Sequence, residues 1–217
     1  GDTSGTALAK AVASNSCLTS LDLGGNQLGA ATGKAMVEAL KGNTSLATIA
    51  LDGASLSLQQ LSGAEPVTEI NLSNDGSYDT RDKRLGEASG VVTAHLVSGN
   101  RSLTSLDLGG NQLGAATGTA LAEVLKVNNS LTSLDLSGNK LGDTTGTALA
   151  KAVASNRSLT SLNLSNNSFG DTSGTALAKA VASNRSLTSL DLGGNQLGAA
   201  TGKAMVEALK GNTSLAT

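Results

Sequence analysis

The chain has few of the residues that build disulfide, metal or aromatic sites. It contains one cysteine, one histidine, one proline and no tryptophan, and its only aromatic residues are Tyr78 and Phe169. A single cysteine, Cys17, cannot form a disulfide within the chain. A free thiol is typical of a reducing compartment, so we expect a cytoplasmic location. With so few aromatic residues, the core is expected to be aliphatic.

The chain also lacks a strong charge and a long apolar run. Its formal net charge is −2, which gives neither a nucleic-acid footprint nor a polybasic membrane signal. No apolar run approaches the roughly 20 residues that span a bilayer. We therefore expect neither nucleic acid nor a membrane as the partner.

The most informative feature present is internal repetition. The 28-residue unit LTSLDLGGNQLGAATGTALAEVLKVNNS begins at Leu103 and returns at Leu131, Leu159 and Leu187. Each copy opens with the frame L-x-x-L-x-L-x-x-N-x-L, in which Phe169 replaces the last leucine of the third copy. Repetition at a fixed period of this length indicates stacked structural units.

The frame predicts a short strand followed by a turn. Leu106 and Leu108 alternate with the polar Ser105 and Asp107, which is the period of two that buries one face of a strand. Asn111 ends the strand, where a buried amide can bond the backbone of the turn and of the next coil.

The second half of each unit predicts a helix. In the first copy its inner face is expected to comprise Ala120, Leu121, Val124 and Leu125. One unit cannot bury such a face alone, so stacked units are expected to form a parallel sheet inside and a helical layer outside. The crossover rule makes this α/β solenoid right-handed, with strands only at frame positions.

These motifs resemble the leucine-rich repeat family, specifically the 28-residue ribonuclease-inhibitor-like type found also in NLR immune receptors. The resemblance implies a horseshoe with its parallel sheet on the concave face and its helices on the convex face. We extend it over residues 1–217 as a single solenoid. Its units are 1–17 (partial), 18–45, 46–66 (short), 67–102 (with a loop inserted at about 73–84), 103–130, 131–158, 159–186, 187–214 and 215–217 (partial).

Two units depart from the frame. In the short unit, Ala54 replaces the frame asparagine and Gln59 to Leu61 has room for one helical turn, so this layer is expected to be the weakest. The long unit carries the inserted loop, and loops of repeat proteins often bind partners. A solvated loop without a role is the alternative. The candidate contact residues in the loop are Tyr78, Arg81, Lys83 and Arg84.

Three further residue types recur at fixed phases. Asp143 and Asp171 precede helices as N-caps would. An asparagine closes most helices, where a left-handed backbone is tolerated. A glycine in each helix suggests that helix and strand backbones approach too closely for a Cβ. These glycines are Gly33, Gly90, Gly118, Gly146, Gly174 and Gly202.

The polar positions of the strands form one extended concave surface. Neighbouring strands lie about 4.8 Å apart, so Asp107 and Asp135 are adjacent like charges whose repulsion in water is about 0.9 kcal/mol. A small-polar, mildly acidic surface suits a basic ligand, although a solvated stripe of repeat residues is an equal alternative. The candidate partner-binding residues are Thr104, Ser105, Asp107, Thr132, Ser133, Asp135, Thr160, Ser161, Asn163, Thr188, Ser189 and Asp191.

Residues for catalysis or for holding a cofactor are not evident. His95 falls at a helix position held by Glu38, Glu123 and Lys151 in other units, which predicts a surface histidine far from Cys17. No cluster has metal-ligand spacing and no phosphate-binding glycine loop is present. We therefore predict no catalytic residues, no metal and no cofactor.

The leading interpretation is a non-catalytic protein–protein interaction module whose protein partner the sequence does not identify. One alternative is a spacer that assembles through its ends. Residues 18–48 repeat residues 187–217 identically, and the chain stops at Thr217 in a predicted strand. We expect the chain to be an excerpt of a longer array, and its uncapped ends also favour head-to-tail homo-oligomers. The third and weakest alternative is a GTPase-activating protein of this repeat type, because no residue matches the loops that such an activity needs.

Overall fold

The computed structural model describes residues 1–75 and 83–215, and within these ranges helices alternate with short strands. The helices are α1 (Asp2–Ser14), α2 (Ala30–Leu40), α3 (Leu58–Ser62), α4 (Glu87–Ser98), α5 (Ala115–Val127), α6 (Gly142–Ser155), α7 (Asp171–Ser183) and α8 (Ala199–Lys210). The strands are β1 (Ser20–Asp22), β2 (Thr48–Ala50), β3 (Leu56–Ser57), β4 (Glu69–Asn71), β5 (Ser105–Asp107), β6 (Ser133–Asp135), β7 (Ser161–Asn163) and β8 (Ser189–Asp191).

Strands β4 to β8 form a parallel sheet in chain order. The register follows the repeat, because Leu106 pairs with Leu134 and Leu134 pairs with Leu162. One helix follows each of these strands, so the predicted α/β repeat fold with a parallel sheet is confirmed.

The sheet is interrupted at the short unit. Strand β2 pairs in parallel with β1, but its other neighbour is β3, which runs antiparallel to it and aligns Ile49 with Leu56. The prediction that strands occur only at frame positions is therefore wrong here. Because this segment lacks both the frame asparagine and a full helix, it folds back onto β2, and Leu58 N donates to Ala47 O at 2.9 Å.

The one-turn helix predicted near Gln59 is present as α3. Ser57 caps its start by accepting a hydrogen bond from Gln60 N, and Gly63 ends it with a left-handed backbone at φ +85°. This five-residue helix stands where the other units carry 11 to 14 residues of helix.

The frame leucines and the inner helix faces form one large core, and Ala178, Val181 and Ala208 form a smaller second cluster between α7 and α8. Leu103, Leu106, Leu108 and Leu113 are at most 1% exposed, and Phe169 at the last frame position is fully buried. Each such side chain contributes about 1.5–3 kcal/mol by leaving water. In α5 the inner face is formed by Leu121, Ala122, Val124 and Leu125, while Ala120 is only half-buried at the flank.

The frame asparagines join each turn to the coil before it. Asn139 Nδ2 donates to Leu136 O and Ser137 O in its own turn, at 3.0 and 3.1 Å, and to Leu108 O at 3.0 Å. Its Oδ1 accepts from Leu113 N at 3.0 Å. The side chain of Asn139 is buried and bonds its own turn, as predicted. It also bonds the unit before it, whereas we predicted bonds to the unit after it.

The asparagines that close the helices form a second ladder, and the left-handed backbone predicted for them is wrong. Asn128 has φ −81° and ψ 125°, which is extended. Its side chain donates to Val97 O and Asn100 O of the preceding unit, at 3.2 and 3.0 Å, and accepts from Leu131 N at 2.9 Å. The ladder satisfies helix-end carbonyls that would otherwise lack a partner.

Of the six helix glycines named above, five face a following helix and not the strand that we predicted. A Cβ at Gly118 would lie 2.2 Å from Cγ2 of Thr145, and one at Gly146 would lie 2.4 Å from Cβ of Ser173. Gly202, in α8, has no such neighbour within 4 Å. The recurrent glycine therefore permits close helix–helix packing.

Asp143 and Asp171 act on the next helix instead of capping their own. Asp143 Oδ1 accepts from Gly170 N at 2.8 Å, from Ser173 N at 3.2 Å and from the Ser173 hydroxyl, all at the start of α7. The hydroxyl of Ser173 and the amide of Gly170 hold the pKa of Asp143 below its ordinary value. Asp171 likewise accepts from Gly198 N and Thr201 N, both at 2.9 Å.

Candidate protein-interaction surface

The polar side chains of β5 to β8 line up on the side of the sheet opposite the leucine core. We call this surface the sheet face. The parallel register aligns the serines of successive strands, and it aligns Asp107, Asp135, Asn163 and Asp191 as a second row. All of these side chains are half-buried or exposed. The sheet face consists of Thr104, Ser105, Asp107, Thr132, Ser133, Asp135, Thr160, Ser161, Asn163, Thr188, Ser189 and Asp191.

The threonines of the sheet face already have hydrogen-bond partners within the sheet. The hydroxyl of Thr132 donates to Thr104 O, that of Thr160 donates to Thr132 O and that of Thr188 donates to Thr160 O, each at 3.0 Å. Their hydroxyl protons are therefore engaged, and only their lone pairs and methyl groups face outward.

The acidic row is held by short turns at the strand ends. Asp107 Oδ1 accepts from Gly109 N at 2.9 Å, and Asp135 Oδ1 accepts from Ser137 N at 2.8 Å. Asp135 Oδ2 also accepts from Asn163 Nδ2 at 2.8 Å. Asn163 thus separates Asp135 from Asp191, whereas Asp107 and Asp135 stand side by side as predicted.

No lysine or arginine neutralises the carboxylates of the sheet face within residues 1–75 and 83–215. The ion pairs there join Lys41 with Glu38, Lys126 with Glu123 and Lys210 with Glu207, all on helices. The sheet face therefore keeps its negative charge.

The inserted loop is described only at its ends. Tyr78 and Arg81, two of its candidate contact residues, lie outside the described residues. Lys83 is exposed, and the half-buried Arg84 donates from Nε to Asn74 Oδ1 at 3.4 Å. Arg84 lies at the turn edge of the sheet and not on the sheet face.

Sequence reasoning named Arg84 but missed the other polar residues beside it at that edge. Arg84, Gln112 and Lys140 line the same cavity beside the turns. Their signal in the sequence is a shared unit position, since each directly precedes the last frame leucine of its unit.

The residues considered for chemistry are dispersed. His95 is exposed on α4, as predicted, and Cys17 is a free, exposed thiol between α1 and β1. Over the part of the chain that the structure describes, no group of three His, Cys, Asp or Glu residues could hold a metal ion. No helix in that part is long and apolar enough to cross a membrane. Thr217, on which the expected end-to-end stacking depends, lies outside the described residues.

Comparison with known proteins shows the family to which this chain belongs. The family described as Leucine Rich repeat matches five segments that together cover more than half of the chain. The matched segments are residues 14–37, 99–122, 127–150, 155–178 and 183–206. No curated protein matches the sequence.

Two solved structures share the fold at low sequence identity. One is described as leiomodin-1 actin-binding site 2, with a TM-score of 0.59 and 22% identity over 71% of this chain and 86% of that one. The other is the tropomodulin C-terminal domain of Caenorhabditis elegans, with a TM-score of 0.57 and 16% identity over 71% of this chain and 90% of that one. At these identities the likeness concerns the fold.

Proposed function

Because the chain belongs to the leucine-rich repeat family, we propose that it is a non-catalytic protein-interaction module that binds a basic segment of a protein partner on its sheet face. The 28-residue period and the full helix in most units support the ribonuclease-inhibitor-like subtype. The free, exposed Cys17 supports a cytoplasmic location.

The observation that carries the proposal is the row of unneutralised carboxylates. Asp107 and Asp135 each use Oδ1 to hold a turn, and no ion pair among the described residues involves either of them. Their positions are fixed by the strand register, so little conformational entropy is lost when a cation binds. A rigid array of this kind favours a lysine- or arginine-containing segment laid across the strands.

The solved neighbours support a binding role only through their fold. The leiomodin-1 repeat domain is described as an actin-binding site, so in that protein the fold serves to bind another protein. An identity of 22% supports a shared architecture and not a shared partner.

The test is a titration of the intact chain with hexalysine peptide, in which binding is monitored through the chemical shifts of the backbone amides. Asp107→Asn and Asp135→Asn remove charge but keep the turn acceptor, and Asn163 shows that the frame accepts asparagine at this position. We expect each change to weaken binding about two- to fivefold, as for an exposed ion pair. The matched control is Glu123→Gln, because Glu123 is an exposed helix residue paired with Lys126. Equal weakening by the control, or shifts outside the sheet face, would contradict the proposal.

A further inference from the structure

A polar cavity of about 400 Å³ lies at the edge of the sheet where strands β4 to β7 end. Its lining includes the turn glycines Gly110 and Gly138, whose backbones are left-handed at φ +68° and +62°. Arg84, Gln112 and Lys140 also line it. The cavity is separate from the sheet face.

Arg84, Gln112 and Lys140 stand on consecutive rungs of the solenoid. Gln112 N donates to Leu85 O at 2.9 Å, and Lys140 N donates to Leu113 O at 2.8 Å. These backbone bonds fix the order Arg84, Gln112, Lys140 along the edge. Each of the three side chains carries N–H donors, so the edge presents a row of donors with a cation at each end. We call these three residues the donor row.

The charges of the donor row are not required by the repeat. The same unit position holds Gln27, Ser168 and Gln196 elsewhere, and all three are uncharged. At this unit position, the cationic residues are Arg84 and Lys140, and both line the cavity beside the end of the inserted loop. Among the described residues that line the cavity, one is acidic, Asp75, and two are cationic, so the described lining has an excess of positive charge.

We propose that the donor row binds carboxylates of an acidic segment of the protein partner. Arginine binds a carboxylate through two parallel N–H bonds, lysine adds a point charge, and the Gln112 amide donates between them. A nucleic acid fits less well, because the chain has net charge −2, the described lining has no aromatic side chain and the acidic sheet face is part of the same sheet. The inference rests on the proposed function and adds that the partner carries an acidic segment beside its basic one.

The test is a chemical-shift titration of the intact chain with hexaglutamate peptide, at the amides of Gly110, Gln112, Gly138 and Lys140. Lys140→Gln installs the residue that Gln112 and Gln196 already show to be compatible with the frame. We expect it to weaken binding about two- to fivefold, and Arg84→Gln to weaken it by at least as much. The control is Lys151→Gln, which makes the same charge change at an exposed position on α6 and leaves binding unchanged.

Three results would overturn the inference. They are the absence of saturable shifts at these amides, equal weakening by Lys151→Gln, and tighter binding of an oligothymidylate than of hexaglutamate at the same amides. The two proposals fail separately. Loss of hexalysine binding with retained hexaglutamate binding refutes the sheet face alone, and the reverse result refutes the donor row alone.

Discussion

Two neighbouring helix junctions in the regular part of the array differ by one carboxylate. At the α6–α7 junction, Asp143 accepts hydrogen bonds from the amides of Gly170 and Ser173 and from the Ser173 hydroxyl. At the α5–α6 junction the corresponding residue is Ala115, which offers no acceptor. The hydroxyl of Thr145, which corresponds to Ser173, is buried there without a hydrogen-bond partner.

The start of the following helix differs accordingly. Helix α7 begins at Asp171 after Gly170, whose backbone is extended at φ −103°. Helix α6 begins one position earlier in the unit, at Gly142, whose φ is +70°. The frame bond at this point is also longer, since Leu141 N lies 3.4 Å from Asn167 Oδ1. The corresponding bond one unit earlier, from Leu113 N to Asn139 Oδ1, is 3.0 Å.

This comparison shows that the start of a helix in this array depends on the unit before it. The N-terminal amides of a helix need acceptors, and here the preceding helix supplies them. Glu87 serves α5 in the same way, through Ala116 N and Thr117 N at 3.0 and 2.9 Å. A carboxylate on a helix N-terminus also interacts favourably with the helix dipole.

The largest expected effect concerns the frame asparagines, which both junctions share. Asn139→Ala removes four hydrogen bonds and leaves buried amide and carbonyl groups without partners, so we expect a loss of about 3 kcal/mol in the free energy of unfolding. Asp135→Ala should cost less, about 1 kcal/mol. It relieves the repulsion with Asp107 but loses the bonds from Ser137 and Asn163. Urea denaturation of the two variants checks the order, and equal midpoints would contradict a buried role for Asn139.

The next largest effect is expected from replacing the helix glycines, because an added Cβ meets different atoms at the two junctions. Gly146→Ala would place a Cβ 2.4 Å from Cβ of Ser173, which side-chain rotation cannot move, so we expect a loss of about 1–2 kcal/mol. Gly118→Ala meets Cγ2 of Thr145, whose hydroxyl is unbonded, so a change of that side chain's rotamer breaks no hydrogen bond. Denaturation midpoints should therefore fall more for Gly146→Ala. Gly202→Ala, with no close neighbour, is the control and should be neutral or stabilising. A larger fall for Gly118→Ala would refute the assignment.

Removing the carboxylate should make the capped junction resemble the uncapped one. Asp143→Ala is expected to cost about 1 kcal/mol, the usual value of an N-cap, because α7 loses three acceptor contacts. Hydrogen exchange should increase at the first amides of α7 and not at those of α8, which Asp171 caps. Uniform exchange changes along the array would show that the effect is not local.

Adding the missing carboxylate should have the opposite and smaller effect. Ala115→Asp places an acceptor opposite the start of α6 and the unbonded Thr145 hydroxyl, and we expect a gain of about 0.5 kcal/mol. A crystal structure of the variant should show Gly142 with an extended backbone, as at Gly170. If Gly142 keeps its positive φ and stability does not rise, the missing acceptor is not the cause of the difference.

Acidification should reduce the stabilisation that the Asp143 carboxylate gives to the α6–α7 junction. The pKa of Asp2, Asp143 and Asp171 lies below its ordinary value, mainly because of the hydroxyls of Thr32, Ser173 and Thr201, respectively. Since folding lowers these pKa values, their stabilisation is complete above the unfolded pKa of about 3.9 and is lost as the pH falls through the folded pKa. The difference in midpoint between the unmodified chain and Asp143→Ala should therefore shrink between pH 6 and pH 3. A difference independent of pH would contradict an ionised cap.

Much of the regular fold could be predicted from the sequence, because the frame repeats local information. The alternation of Leu106 and Leu108 with polar neighbours determines the strand and its buried face. The irregular unit could not be predicted in the same way. Strand β3 forms because the edge of β2 is available in the folded chain, and no periodic pattern marks Leu56 and Ser57 as a strand.

Of the two candidate sites, the sheet face could be predicted from the sequence and the donor row could not. The sheet face follows from the alternation of residues along each strand, so its members could be named in advance. The donor row depends on three side chains, 28 residues apart, meeting at one edge of the sheet, and only Arg84 among them had been considered for binding. Likewise, Asp143 and Asp171 were recognised as helix caps, but on the wrong helix.

The sequence by itself determined the period, the buried leucines, the strand and helix of each unit and the polar character of the exposed strand positions, because those are set within 28 residues by side-chain alternation and helical spacing. Only the tertiary structure decided which unit each asparagine and carboxylate bonds, where the parallel sheet stops and which cations meet at its edge. Those outcomes depend on the distance between stacked coils. Each polar group there satisfies acceptors or donors of a neighbouring unit, and no local pattern specifies that partner.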